Sequence, residues 1–180
     1  MGRKIEVNGN IPQNIKYSYD AESRLSSIDQ GKYGKIIFTY EKDGSRSSIS
    51  IPDLTVAKYR YDEDNRLTGI YIYDTESPES LLNELQSDQV ENMKYSMEYL
   101  YDMHGNHIES KYGKNAQTVK YAYSLDNQLI EEESYGKSDE FIYKTSFIYD
   151  ANGNRKESFE KERIVKYNYN NSSQLLEVAL

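Results

Sequence analysis

The chain of 180 residues contains no cysteine and only two histidines. The first absence removes any disulfide framework and any thiolate nucleophile or ligand, and so leaves the redox compartment unread. The second leaves little for imidazole-based chemistry. His104 and His107 flank a Gly-Asn pair, and with no third ligand in view they read as exposed turn residues rather than a metal site. There is also no G-x-S-x-G elbow and no phosphate-binding glycine loop, so nucleophilic and nucleotide chemistry have no motif to rest on. Long apolar runs are missing too. No stretch reads as a transmembrane helix, and Met1 to Glu6 has no apolar segment of the signal-peptide kind. The expectation for location follows: extracellular or envelope if a leader has been trimmed, and cytoplasmic otherwise.

Positive charge is in short supply as well. Twenty-two Lys and Arg stand against 30 Asp and Glu, a net charge of -8 with a pI near 4.9. Affinity for nucleic acid rests on clustered cations neutralising phosphates, so that partner is excluded while a basic protein partner is favoured. Mean hydropathy is -0.89, low for a folded protein. Yet 13% of the residues are aromatic, 19 of them tyrosine, too many for a disordered chain. A ring with a water-tolerant hydroxyl suits a half-exposed sheet better than a thick aliphatic core.

The tyrosines recur in a pattern. "YSYDAESRL" begins at Tyr17, "FTYEKDGSR" at Phe38, "YRYDEDNRL" at Tyr59, "YLYDMHGNH" at Tyr99, "YAYSLDNQL" at Tyr121, "FIYDANGNR" at Phe147 and "YNYNNSSQL" at Tyr167. The second aromatics, Tyr19, Tyr40, Tyr61, Tyr101, Tyr123, Tyr149 and Tyr169, lie 21, 21, 40, 22, 26 and 20 residues apart, the signature of a repeat architecture. Aromatics at i and i+2 share one face of a strand, and the following D-x-x-G/N/S supplies turn chemistry, with Gly44, Gly105, Gly153, Asn65 and Ser23 at the position that must take positive φ. Each copy therefore predicts a β-hairpin. Glycines in Tyr33-Gly34-Lys35, Tyr112-Gly113-Lys114 and Tyr135-Gly136-Lys137 mark the return turns. The fold class expected is all-β: a single domain over 1–180, an antiparallel meander of about fourteen strands, curled into a spiral sheet or barrel. A membrane barrel is disfavoured because many strand positions are Glu, Lys, Ser or Asn. One short helical insertion is predicted at about 76–92, with Ser77 as N-cap, Pro78 in the first turn and Leu81, Leu82 and Leu85 on one face.

The Y-x-Y-D-x-x-G-R-L pattern, carried best by "YSYDAESRL", "YRYDEDNRL", "YLYDMHGNH" and "FIYDANGNR", resembles the YD repeat of the RHS family over roughly Ile15 to Leu180. The resemblance implies a continuous spiral of β-hairpins. In large members of the family such a spiral is a shell around a toxic polypeptide or part of a cell-surface protein, often described as carbohydrate-binding. Seven copies without a self-cleaving segment or attached toxin point to a small stand-alone sheet protein.

Other candidates resolve into turn or surface chemistry. Asp150 to Asn154 begins like a calcium loop, but Arg155 stands where glycine is needed and Lys161 where the bidentate acid should be. Asp62-Glu-Asp64 fails in the same way at Arg66. Glu131 to Glu133 lies on a predicted strand, with Glu131 and Glu133 on one face and Glu132 on the other, a solvated face rather than a catalytic carboxylate pair. Asn170-Asn-Ser-Ser173 contains a glycosylation sequon. No cofactor is expected and the chain is read as non-enzymatic. The candidate binding residues are Tyr17, Tyr19, Tyr59, Tyr61, Tyr99, Tyr101, Tyr121, Tyr123, Tyr167 and Tyr169. They would stack across hairpins and, if exposed, form a platform for a glycan or a protein at a bacterial envelope or surface. The alternative expectation is an acidic immunity or chaperone-like partner of a basic RHS-type toxin.

Overall fold

The computed structural model describes residues 15–52, 55–74, 93–113 and 117–180; the predicted helix at 76–92 lies outside them. The strands are β1 (Lys16–Tyr19), β2 (Leu25–Asp29), β3 (Lys35–Tyr40), β4 (Arg46–Ile51), β5 (Thr55–Tyr61), β6 (Leu67–Asp74) and β7 (Met93–Tyr101). They continue as β8 (His107–Tyr112), β9 (Gln117–Tyr123), β10 (Leu129–Tyr135), β11 (Phe141–Tyr149), β12 (Arg155–Glu160), β13 (Arg163–Tyr169) and β14 (Leu175–Ala179). All fourteen form one sheet in sequence order, the antiparallel meander that the repeats predict. The order does not close: β1 and β14 are its ends, so the barrel form of that expectation is not taken up. Contacts divide the chain into two compact units, Met1–Arg60 with Ile72–Met93, and Tyr61–Tyr71 with Lys94–Leu180.

Every copy of the motif makes its hairpin in the same way. The turn's first residue accepts a backbone hydrogen bond from the fourth, as in Ser23 N to Asp20 O at 3.1 Å, Asn65 N to Asp62 O at 3.0 Å and Gly153 N to Asp150 O at 3.0 Å. That fourth residue has positive φ at Ser23, Gly44, Asn65, Gly105, Asn127, Gly153 and Ser173. The geometry is a tight turn closed by a left-handed residue and a bulge. The bulge recurs at one place: Ser18 pairs with Ser27 but Tyr19 with Leu25, and Leu100 pairs with Glu109 but Tyr101 with His107. The extra residue sits on the return strand, at Ser26 and Ile108 respectively.

The motif's aspartate holds the turn from its side chain. Asp62 Oδ1 accepts the N–H groups of Asp64 at 3.0 Å and Arg66 at 2.9 Å, while Oδ2 accepts Arg66 Nε at 2.7 Å. Asp102 and Asp150 repeat this with asparagine, from Asn106 Nδ2 and Asn154 Nδ2 at 3.0 Å. Ser124 Oγ and Asn170 Oδ1 do the same for their own turns. An anion that accepts three donors is favoured over its acid, which holds Asp62, through the Arg66 N–H first, and Asp102 and Asp150, through the asparagine amides first, below the ordinary carboxylate value.

The sheet is held with few buried apolar side chains. Among the described residues only Val56, Tyr73 and Val119 are buried apolar side chains. The buried polar set is larger and mostly serine: Ser27, Ser47, Ser48, Ser50, Ser96, Ser110, Thr118, Ser134 and Ser158. These small hydroxyls find side-chain partners, Ser47 and Ser48 at Thr39, Ser134 at Gln117 and Ser158 at Tyr167. Among the described residues no buried side-chain nitrogen or oxygen lacks one.

Gly105 isolates the backbone part of the turn, since its φ is +84° and an added Cβ would meet nothing within 4 Å. Gly105→Ala is expected to destabilise the protein by about 1–2 kcal/mol in urea unfolding, with Gly105→Asn closer to wild type, because asparagine tolerates the left-handed conformation.

Candidate functional site

The ten candidate tyrosines separate by exposure. Tyr17 and Tyr19, on the end strand β1, are 57% and 63% exposed. Tyr59, Tyr61, Tyr99, Tyr101, Tyr121, Tyr123, Tyr167 and Tyr169 are half-buried. For Tyr101 and Tyr123 a hydrogen bond that no pattern of apolar residues announces holds the ring in place. In four copies the second aromatic donates its hydroxyl to the backbone carbonyl that opens the return strand of the preceding hairpin. Tyr40 reaches Leu25 O at 2.8 Å, Tyr101 reaches Leu67 O at 2.9 Å, Tyr123 reaches His107 O at 2.9 Å and Tyr149 reaches Leu129 O at 2.7 Å. The bulge lies on the return strand directly after the residue whose carbonyl accepts, at Ser26 after Leu25 and at Ile108 after His107.

Turns are stitched to one another at the same end of the hairpins. Arg24 Nη1 donates to Glu41 O at 3.0 Å and Arg66 Nη1 to Asp102 O at 3.1 Å. Asn106 Nδ2 reaches Asn127 Oδ1 at 2.9 Å, and Asn154 Nδ2 reaches Ser173 Oγ at 3.2 Å. The arginines also lie over rings of the repeat: Arg24 over Tyr40 at 4.6 Å and Arg66 over Tyr101 at 5.2 Å. The arginine of the motif thus serves its own aspartate, the next turn and the next tyrosine together.

In the unit formed by Tyr61–Tyr71 and Lys94–Leu180, these contacts concentrate around His107. It is not an exposed turn residue. It opens β8 at the position held by leucine in four other copies, at Leu25, Leu67, Leu129 and Leu175, and is half-buried. Its ring meets Tyr99 edge-on at 5.0 Å and stacks on Tyr101 at 5.3 Å and Tyr121 at 5.5 Å. Burial holds its pKa below the ordinary 6.5, and burial likewise pushes the phenols of Tyr99 and Tyr123 up. His107 Nε2 lies 3.3 Å from Ser110 Oγ. That serine is fully buried, while His107 itself is half-buried. His104, by contrast, is exposed in the turn as expected.

Alternation gives the same unit two unlike faces. Tyr99, Ser110, Val119 and Tyr121 share one face with Glu132 and Tyr143, whose hydroxyl donates to Glu132 Oε1 at 2.8 Å. The other face carries charge. Lys144 Nζ lies 2.6 Å from Glu131 Oε2 and 3.3 Å from Glu133 Oε1, and Lys111 Nζ lies 3.1 Å from Glu109 Oε1. The split of Glu131 and Glu133 from Glu132 follows the sequence expectation. These carboxylates are engaged by lysine and tyrosine: the Tyr135 hydroxyl and Lys144 hold Glu133 below the ordinary value. Among the described residues no group of three or more His, Cys, Asp and Glu is placed to hold a metal.

Two measurements check this arrangement. Tyr123→Phe removes one stitch and leaves the His107 carbonyl unpaired, and is expected to lower stability by about 1 kcal/mol in denaturant unfolding. For His107 the sign is set by its lowered pKa: above 6.5 both folded and unfolded histidine are neutral, and as pH falls below 6.5 the unfolded state takes up the proton first. Wild type is therefore expected to lose stability as pH falls below 6.5, and His107→Leu to lose less over the same range. Unfolding midpoints across pH decide it.

Comparison with known proteins supplies likeness of fold only. No family model matches the chain, and no curated protein does. Solved structures do. The crystal structure of TcdB2-TccC3-TEV matches with a TM-score of 0.65 at 17% identity, over 88% of this chain and 9% of that one. TcdB2-TccC3 without its hypervariable C-terminal region gives 0.65 at 17%, over 89% and 9%, and TcdB2-TccC3-Cdc42 gives 0.61 at 15%, over 92% and 11%. The chain thus spans between 9% and 11% of the length of the solved chains it resembles, and shares with that part of them the hairpin sheet described above.

Proposed function

We propose that the chain is a non-enzymatic β-hairpin repeat module of a toxin-associated system, and that its sheet binds a protein partner of net positive charge. The observation that carries this reading is where the repeat's own side chains go. Tyrosine hydroxyls, aspartates and arginines of the motif are engaged in stitching one hairpin to the next, and this use of the recurring side chains in building the sheet supports a binding reading. The likeness of fold to TcdB2-TccC3 chains and the YD-type repeat support the toxin association. The net charge of -8 favours a basic partner. An envelope or surface setting is part of the same reading, through the repeat family that the sequence resembles.

A glycan platform is the second reading, and one observation favours it: Tyr17 and Tyr19 are exposed side by side on one face of β1. The two readings separate cleanly. Immobilised chain is expected to capture a basic protein from envelope or toxin-producing extracts, with capture falling steeply as salt rises, while a glycan array stays silent. A glycan signal abolished by Tyr17→Ala with Tyr19→Ala, or capture indifferent to salt, would overturn the protein reading in favour of the glycan one.

A further inference from the structure

We propose that the two end strands pair with each other between copies, β1 of one molecule adding to β14 of a second so that the meander continues head to tail. The reading is independent of the hetero-partner described above and rests on a register rule that the chain itself displays. Wherever one hairpin meets the next, the residue two places after the start of the return strand pairs with the residue just before the first aromatic of the following copy. The pairs are Ser27 with Ile37, Ser48 with Lys58, Glu109 with Lys120, Glu131 with Ser146 and Glu157 with Lys166.

Applied to the two ends, the same rule sets Glu177 of β14 opposite Lys16 of β1 in a second copy. This is the Glu–Lys pairing already present at Glu109 with Lys120 and at Glu157 with Lys166. One step further along, Ser110 with Val119 and Ser158 with Val165 map to Val178 opposite Ile15. Those two side chains are 50% and 38% exposed, so the pairing covers apolar surface on both ends. Opposite charges directly across an antiparallel pair are favourable and like charges unfavourable, so the ends recognise each other in this register.

The stitching hydrogen bond is also split between the ends. Tyr19 has the place of Tyr40, Tyr101, Tyr123 and Tyr149 in its copy, but no copy precedes it among the described residues and its ring is 63% exposed. Leu175, at the opening of β14 on the other end of the sheet, has the place of Leu25, Leu67 and Leu129, whose carbonyls accept those hydroxyls. One end carries the donor and the other the acceptor. The contact is heterologous, since each copy uses one surface to give and a different one to receive.

The full chain, purified alone, tests this by sedimentation velocity and light scattering over a concentration series. Concentration-dependent association is expected. Lys16→Glu and Glu177→Lys, each placing like charges opposite one another, are expected to weaken it about tenfold or more. The chain carrying both substitutions restores the opposite pair and is expected to recover association, which also shows that the single variants fold. A monomer at every concentration overturns the proposal, and so does association that neither charge reversal weakens or that the double variant fails to restore. A strand from a different protein as the true occupant of β14 gives the first of these results.

Discussion

The structure depends on a single kind of contact, the hydroxyl of a tyrosine held against the backbone carbonyl of the hairpin before it. Among the described residues the sheet buries almost no large aliphatic side chains, so a deep apolar core is not what stabilises it. Beyond the strand ladder, four of the hairpin junctions carry a tyrosine that supplies both a ring and a hydroxyl ending on a carbonyl. Tyrosine can do both, whereas phenylalanine supplies only the ring. That is the physical reason for a chain with 19 tyrosines and so low a mean hydropathy.

The carbonyl is available because of the turn. A left-handed fourth residue and the bulge that follows it shift the return strand by one residue against the aromatic strand, and the aspartate fixes that geometry from its side chain. Turn, bulge, ring and carbonyl form one unit, repeated. Changes of residue within the unit are tolerated where the chemistry is kept: serine or asparagine replaces aspartate as acceptor at Ser124 and Asn170, and asparagine replaces arginine at Asn106 and Asn154.

The hairpins were legible in the sequence because the turn is local. Positive φ and side-chain acceptors follow from residue types within a few positions, and the positions named from the pattern, Ser23, Gly44, Asn65, Gly105 and Gly153, are left-handed in the structure, joined by Asn127 and Ser173. What joins successive hairpins was not legible. The Tyr101 bond to Leu67 spans 34 residues, and the ring's alternative of pointing to solvent leaves the same sequence pattern. His107 was misread for a related reason: its neighbours in sequence are turn residues, while its environment is set by Tyr99, Tyr101 and Tyr121 on adjoining strands. The signal that could have placed it was its alignment with leucine in other copies. Of the ten tyrosines expected to form a binding platform, eight are half-buried in the sheet and Tyr17 and Tyr19 are exposed, a division set by strand position that the repeat pattern does not carry.

The central claim is that these hydroxyls are structural donors rather than free contact groups. Proton NMR in water on tyrosine-labelled protein tests it most directly. A hydroxyl bonded to a carbonyl and shielded by its neighbours exchanges slowly enough to give its own resonance, and one facing solvent does not. The account predicts hydroxyl resonances from Tyr40, Tyr101, Tyr123 and Tyr149, each close to the backbone of Leu25, Leu67, His107 and Leu129 respectively, and none from Tyr17. Rapid exchange of all four hydroxyls in the folded protein would contradict it.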